Sequence, residues 1–211
     1  MATTDPKNEA AYKFNVGVEA TLFNSLNVEL DYFNQTHKNI WVEGSGAYTS
    51  VIGFSAPYTN DGEVNNYGFE AKLDFNRKFG DVDVRLGGNI LFTQNEIKNM
   101  GEEPKAFDNL VETGGPLKQT RGLIALGLFK DQAEIDASPA QNFTTTRPGD
   151  IKYLDLNEDG VIDANDKTAI GYSVTAPEIY YSFHVGAEWK GIGLFALFQG
   201  TGRYSAVLNA A

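Results

Sequence analysis

The sequence predicts an all-β fold of antiparallel, up-and-down strands, the kind of strand that builds segments of transmembrane β-barrels. Three observations predict it. Apolar and polar residues alternate with period two over several segments. Those segments come in pairs joined by a few residues. The pairs themselves are separated by long connections, which compact domains rarely carry and barrels with long extracellular loops carry routinely.

In residues 12–20, Tyr12, Phe14, Val16, Val18 and Ala20 alternate with Lys13, Asn15, Gly17 and Glu19. In 26–32, Leu26, Val28, Leu30 and Tyr32 alternate with Asn27, Glu29 and Asp31. The connector "TLFNS" makes them a hairpin. The unit recurs with Tyr67, Phe69, Ala71, Leu73 and Phe75, the turn "NRKFGD", and then Val82, Val84, Leu86, Gly88, Ile90 and Phe92. A third unit sets Ile179, Tyr181, Phe183, Val185, Ala187 and Trp189 before "KGIG" and "LFALFQG". Residues 36–63 and 95–177 read as the long connections. An apolar face of this kind meets lipid in a barrel. In a soluble antiparallel sandwich it packs on a second sheet.

Composition narrows the function. The 211 residues carry a net charge of −11 and a pI near 4.6, which argues against nucleic acid as a partner. Cysteine is absent, so neither disulfides nor thiol chemistry contribute. The start, "MATTDPKNEA", has no basic region followed by an apolar one and does not read as a signal peptide. No apolar run approaches the ~20 residues of a spanning helix.

Residues 155–166, "DLNEDGVIDAND", are the densest chemistry in the chain. Asp155, Asn157 and Asp159 stand at positions 1, 3 and 5 of a calcium loop of the EF-hand type. Gly160 stands at the tight turn, Val161 offers its carbonyl at 7, and Asp163 and Asp166 stand at 9 and 12. Ca²⁺ is a hard cation that takes six to eight oxygens, and this order supplies them. Two departures matter. Position 12 is Asp rather than Glu, and "RPGDIKYL" and "KTAIGYS" on either side carry strand rather than helix signals. The alternative is a solvated acidic turn without metal, and the spacing favours the metal over it. Strand parity puts this loop at the end of the sheet opposite the short turns.

The stretch "PGDIKYLDLNEDGVIDANDKTAIG", followed by "WKGIGLFALFQG" and "GRY", resembles the C-terminal half of SusC/RagA-type TonB-dependent outer-membrane transporters of Bacteroidetes. "YTNDGEVNNYGFEAKLDF" and "NVGVEATLFNSLNVELDYFNQTHKNI" are similar to preceding segments of that family, in the family's order. The resemblance implies an antiparallel up-and-down transmembrane β-barrel of about 22 strands with a plugged lumen. It implies residence in the cell outer membrane and contact with its lipid. It also implies energy delivered through TonB, a SusD-like surface lipoprotein as partner, and an oligosaccharide or peptide substrate. On that reading residues 1–211 are a partial receptor barrel domain without signal peptide, plug or last strands, and its edge strands lie open. The function expected is import of glycans or peptides. The alternative is a soluble, calcium-stabilised β-sandwich domain for carbohydrate binding or adhesion. A dockerin-type module would need a duplicated calcium loop and helices, and the sequence offers neither.

Single residues support no catalytic site. His37 and His184 are far apart in sequence, and His184 reads as lumen-lining. Trp41 and Trp189 read as interface or core aromatics. Glu102, Glu103, Asp81 and Asp83 read as solvated charges. No Ser/His/Asp set, phosphate-cradling loop or HExxH stretch is present, so the expectation is a protein that is not an enzyme.

Overall fold

The computed structural model of the chain describes residues 6–43, 58–143 and 145–207. Six strands form one long antiparallel sheet: β1 (Ala10–Leu22), β2 (Leu26–Glu43), β3 (Tyr58–Phe79), β4 (Val82–Asn99), β11 (Ile179–Trp189) and β12 (Ile192–Gly202). They lie in the order β1-β2-β3-β4-β11-β12. Between β4 and β11 the chain builds β5 (Gln119–Gly122), β6 (Ala125–Leu128), helix α1 (Gln132–Asp136), β7 (Ala140–Gln141), β8 (Ile151–Tyr153), β9 (Val161–Ile162) and β10 (Thr168–Ser173). These strands pair as three small sheets, β5 with β10, β6 with β8, and β7 with β9.

The short turns are legible in their backbone. Lys190 and Gly191 both take positive φ, 48° and 84°, as a two-residue turn matching strand twist requires. Phe23 and Asn24 also take positive φ, 54° and 51°, in the three-residue turn that ends at Ser25. Gly80, at φ 62°, opens the turn between β3 and β4.

Register then sorts the side chains without a slip through the apolar half of the sheet. Val16 faces Tyr32, Tyr32 faces Phe69, Phe69 faces Phe92, and Phe92 faces Ile179. Further along the same face Phe183 stands opposite Phe198, and their rings stack at 4.7 Å. Lys13, Glu19, Glu29, Asp31, Glu70, Lys72, Arg85 and His184 share the other face, where Lys72 meets Glu29 at 3.0 Å. The apolar face is open: Phe14 is 59% and Leu194 78% exposed. The buried side chains Val42, Val64, Ile97, Phe129 and Ile162 lie instead at the end away from the short turns, among the small sheets.

The expectation of a transmembrane β-barrel segment is corrected here. Among the described residues β1 and β12 each end the sheet and do not pair with one another. Closure needs those two backbone edges hydrogen-bonded, so the fold is all-β with open, unclosed sheets rather than a transmembrane barrel segment. Among the described residues no helix is long and apolar enough to cross a membrane. Without a closed wall there is no lumen among the described residues, and the outer-membrane, import and nutrient-uptake readings that rested on a barrel lose their conduit. The long-loop expectation also changes. Strands β2 and β3 run 18 and 22 residues, so the first connection shrinks to residues 44–57, which lie outside the described residues. The second carries the six short strands β5–β10 and is tied to β4 by Ile97 N–H to the Gly115 carbonyl at 2.9 Å.

The glycines of "GEVNNYGFE" have a packing reason. A methyl at Gly62 would come within 2.8 Å of Ile40 Cβ, and one at Gly68 would overlap the Phe92 carbonyl oxygen and press on the Phe33 ring. Gly68→Ala should therefore cost about 1–3 kcal/mol as overpacking. Gly193→Ala, whose methyl meets nothing nearer than 3.9 Å, should stay within about 0.5 kcal/mol. Denaturant midpoints of the two variants check this, and equal midpoints would contradict the close approach.

Candidate functional site

The acidic loop hangs from β8, whose last residues are held by Leu154 N–H to the Ile124 carbonyl at 2.9 Å. Gln141 acts as a strand substitute beside it. Its amide donates to the Ile151 carbonyl at 3.1 Å and accepts from Tyr153 N–H at 2.9 Å. The loop leaves through β9, which pairs in parallel with β7, and Ile162 is fully buried beneath it.

Inside the loop the side chains bind backbone. Asp155 Oδ2 accepts Gly160 N–H at 2.8 Å. Asn157 Oδ1 accepts Asp159 N–H at 3.2 Å, and Asn157 Nδ2 donates to Asp159 Oδ2 at 3.0 Å. Asp159 Oδ1 accepts Val161 N–H at 2.9 Å. Glu158 and Gly160 take positive φ, 59° and 88°, which lets the chain double back. Asp163 caps the following 3-10 turn (Ala164–Asp166), accepting Asn165 N–H at 2.6 Å.

Asp166 has a role that the spacing alone did not show. It is 1% exposed. Its Oδ1 accepts Leu156 N–H at 2.8 Å and Asn157 N–H at 3.4 Å, and its Oδ2 accepts Asp163 N–H at 2.8 Å. The last position of the motif thus staples both ends of the loop. Asn109 secures the exit, donating to the carbonyls of Asn165 at 2.6 Å and Lys167 at 3.0 Å. Arg121 in turn donates to the Asn109 carbonyl.

One atom stands apart. Asp155 Oδ1 is buried and has no hydrogen-bond partner. An unsatisfied buried carboxylate oxygen is costly, and a cation is the partner that the motif order offers it. Among the described residues, no group of three or more His, Cys, Asp or Glu side chains is gathered to hold a metal ion. The loop therefore brings Asp155, Asn157 and Asp159 into one hydrogen-bonded turn and sets Asp163 and Asp166 in a neighbouring capping box.

The other residues singled out by sequence lie elsewhere. His184 Nε2 is 3.9 Å from Asp74 on the polar face of the long sheet, and His37 Nδ1 is 3.5 Å from Glu9. Trp189 closes the third hairpin, with Lys190 Nζ 5.5 Å over its ring. Glu102 is not merely solvated: it accepts the N–H groups of Glu112 and Thr113, each at 2.8 Å. Burial alone would raise its pKa. The Thr113 hydroxyl, those two amides and Lys105 outweigh burial and hold the carboxyl below its usual value. Glu134 is held low by its hydrogen bond to Lys152 and then by the Lys130 amide. That pair, at 2.8 Å, ties α1 to β8.

Both carboxyls have depressed folded-state pKa values. Their contribution is therefore complete above the ordinary glutamate value of 4.5 and is lost as pH falls through the lowered value. Glu134→Gln should lower the thermal stability of the loop cluster at pH 7, and its difference from the parent should shrink below pH 4.5. Melting curves from neutral to acid pH decide this. A difference that grew on acidification would reverse the sign.

No protein-family model matches the chain. Among curated proteins it is 24% identical over 206 residues to the TonB-dependent receptor P26 of Formosa agariphila, covering 92% of this chain and 20% of that one. Among solved structures it superposes on the RagAB peptide importer in its closed-closed state with a TM-score of 0.65 and 23% identity, over 93% of this chain and 21% of the other. The open-open state gives a TM-score of 0.66 and 22% identity, over 92% and 20%. The chain thus spans about a fifth of the length of these proteins. At such identities the likeness to the solved structures is one of fold.

Proposed function

We propose that the chain is a membrane-associated, calcium-ordered β-domain of a SusC/RagA-related surface protein, and that it works by binding rather than catalysis. Import by this segment is not part of the reading. The open sheets accord better with a calcium-stabilised domain for carbohydrate binding or adhesion. The loop cluster is the surface that would meet the carbohydrate or peptide ligand and a SusD-like lipoprotein partner.

The observation that carries the reading is the division of the long sheet. On its apolar face, no charged side chain stands between Arg77 near the turns and Lys38, Glu63 and Glu96 at the far end. Along β4 that band runs from Val82 to Phe92, about 33 Å of strand at ~3.3 Å per residue, comparable with a hydrocarbon layer of about 30 Å. A continuous exposed apolar surface of this size marks an interaction site. Lipid is the partner that this uncharged band fits.

Calcium fits the other end. Asp155, Asn157, Asp159, the Val161 carbonyl and Asp163 would hold the ion, with Asp166 supporting the loop. The ion would satisfy Asp155 Oδ1 and offset the repulsion among the carboxylates. A chelator-treated sample should release or take up heat on calcium titration and gain about 2.7 kcal/mol of stability at a hundredfold excess over Kd. Asp155→Ala with Asp159→Ala should show neither. Equal behaviour of parent and variant would reduce the loop to an acidic turn. Flotation with liposomes tests the lipid face independently: the parent should float, and replacing Phe14, Phe69 and Phe183 by Ser should leave it in the bottom fraction.

A further inference from the structure

We propose that the turn-side rim of the apolar face binds the phosphate of an anionic phospholipid, with Arg77 as the principal contact and Lys190 as the second. The inference rests on the lipid-facing reading above and adds a headgroup class to it.

Arg77 is the one charged side chain on the apolar face at this end of the sheet, placed there by its pairing with Val84. Its guanidinium lies 5.5 Å over the Phe79 ring, and among the described residues it has no carboxylate partner. Phe79, Val82, Trp189 and Ile192 form one row across the sheet, directly opposite one another. Phe79 and Trp189 are 53% and 52% exposed. Each carries a cation over its ring, Arg77 and Lys190, and their strands lie two spacings, about 10 Å, apart. An aromatic ring at the headgroup level with a cation beside it is how a protein surface meets the phosphate layer.

The nearby carboxylates do not cancel this charge. Asp81 meets Lys190 at 3.4 Å, with both side chains more than 60% exposed, and such pairs are weak. Asp83 faces the polar side and pairs with Lys78 at 3.7 Å. The opposite rim is different. Lys38 pairs with Glu63 at 3.3 Å, Lys98 with Glu96 at 2.6 Å, and Arg203 with Glu178 at 3.5 Å. Cations at the far rim are already matched by carboxylates, whereas Arg77 is unmatched. Charge complementarity therefore assigns the anionic headgroup to the turn side.

The test is flotation of the full 211-residue chain on vesicles of phosphatidylcholine alone and of phosphatidylcholine with phosphatidylglycerol. The parent should favour the anionic vesicles, and salt should weaken that preference. Arg77→Gln should reduce it about fivefold, and adding Lys190→Gln should reduce it about fivefold again. Arg77→Lys should retain most of it, and Arg203→Gln at the far rim should leave it unchanged. Circular dichroism of each variant confirms that the sheet has formed. Equal binding to both vesicles, or a preference that Arg77→Gln leaves intact, overturns the rim assignment while the lipid face stands. No flotation on either vesicle overturns the lipid face and the rim together.

Discussion

The antiparallel ladder of the long sheet is the constraint on which everything else depends. Side chains alternate across a strand, so a slip of one residue would send each apolar side chain to the polar face. The ladder does not slip from Leu22 opposite Leu26 to Tyr12 opposite Thr36, nor from Phe79 opposite Val82 to Val64 opposite Ile97. The turns hold that register. Two-residue turns with positive φ match the twist of the strands they join, and the close approaches at Gly62 and Gly68 fix where β3 sits between its neighbours. In the turn-side half of the sheet one face can then be continuous in Phe, Leu, Val and Tyr, while the other carries all of that half's charge but Arg77. The division of labour between the two ends of the molecule follows, because the apolar row stops where polar side chains take over both faces.

Legibility in the sequence followed that same division. The apolar halves of the strands were readable because Val16, Val28, Leu73 and Val185 alternate with charged or amide residues, and alternation is a local signal. Beyond Tyr32 the strand continues through Asn34, Gln35, Thr36 and His37, where both faces are polar and the contrast vanishes. Those residues are held by cross-strand hydrogen bonds instead, such as Thr36 to Asn65 at 3.1 Å and Thr93 to Asn66 at 2.9 Å. Long-range pairing of this kind leaves no periodicity to read. The small sheets were hidden for a related reason. Strands of two to four residues are too short for a period, and Gln141 completes one of them with its side chain rather than its backbone. Taking the strands for a segment of a barrel wall was the largest misreading. Strand pattern and family order speak of the pairing between neighbours, whereas closure depends on the two outermost edges meeting.

The acidic loop shows how one motif can hold carboxylates of different character. Asp166 is buried and satisfied by three amides, so its negative charge is balanced by N–H dipoles and it can hold the fold with or without an ion. Asp155 is satisfied through one oxygen only. The two residues look equivalent in a list of oxygen ligands, and the order of the motif cannot separate them. Their surroundings can. Ile162 and the β7–β9 pairing bury the exit of the loop, which places Asp166 in the interior, while Asp155 stands at the mouth, where the chain leaves β8. A loop stapled at position 12 is largely shaped before any metal arrives, so less ordering entropy opposes binding than in a loop that the ion must itself assemble.

The two ends of the sheet also differ in how they treat charge, and this connects fold to placement. At the loop end, cations and carboxylates face one another across strands, and the hydrogen-bonded set of Tyr67, Gln94 and Glu178 extends this polar order onto the outer face. Such a surface is already internally compensated, and it favours ligands recognised by shape and hydrogen bonding. At the turn end the outer face offers rings and one unmatched guanidinium, which favours a partner that is apolar below and anionic above. An extended sheet with an apolar face cannot be indifferent to its surroundings. At about 25 cal/mol per Å² of apolar surface withdrawn from water, covering that face is the largest single free-energy term open to the molecule. On the function proposed above, the loop cluster would work from a base whose position is set by what covers the sheet, and binding at one end would be anchored by burial at the other.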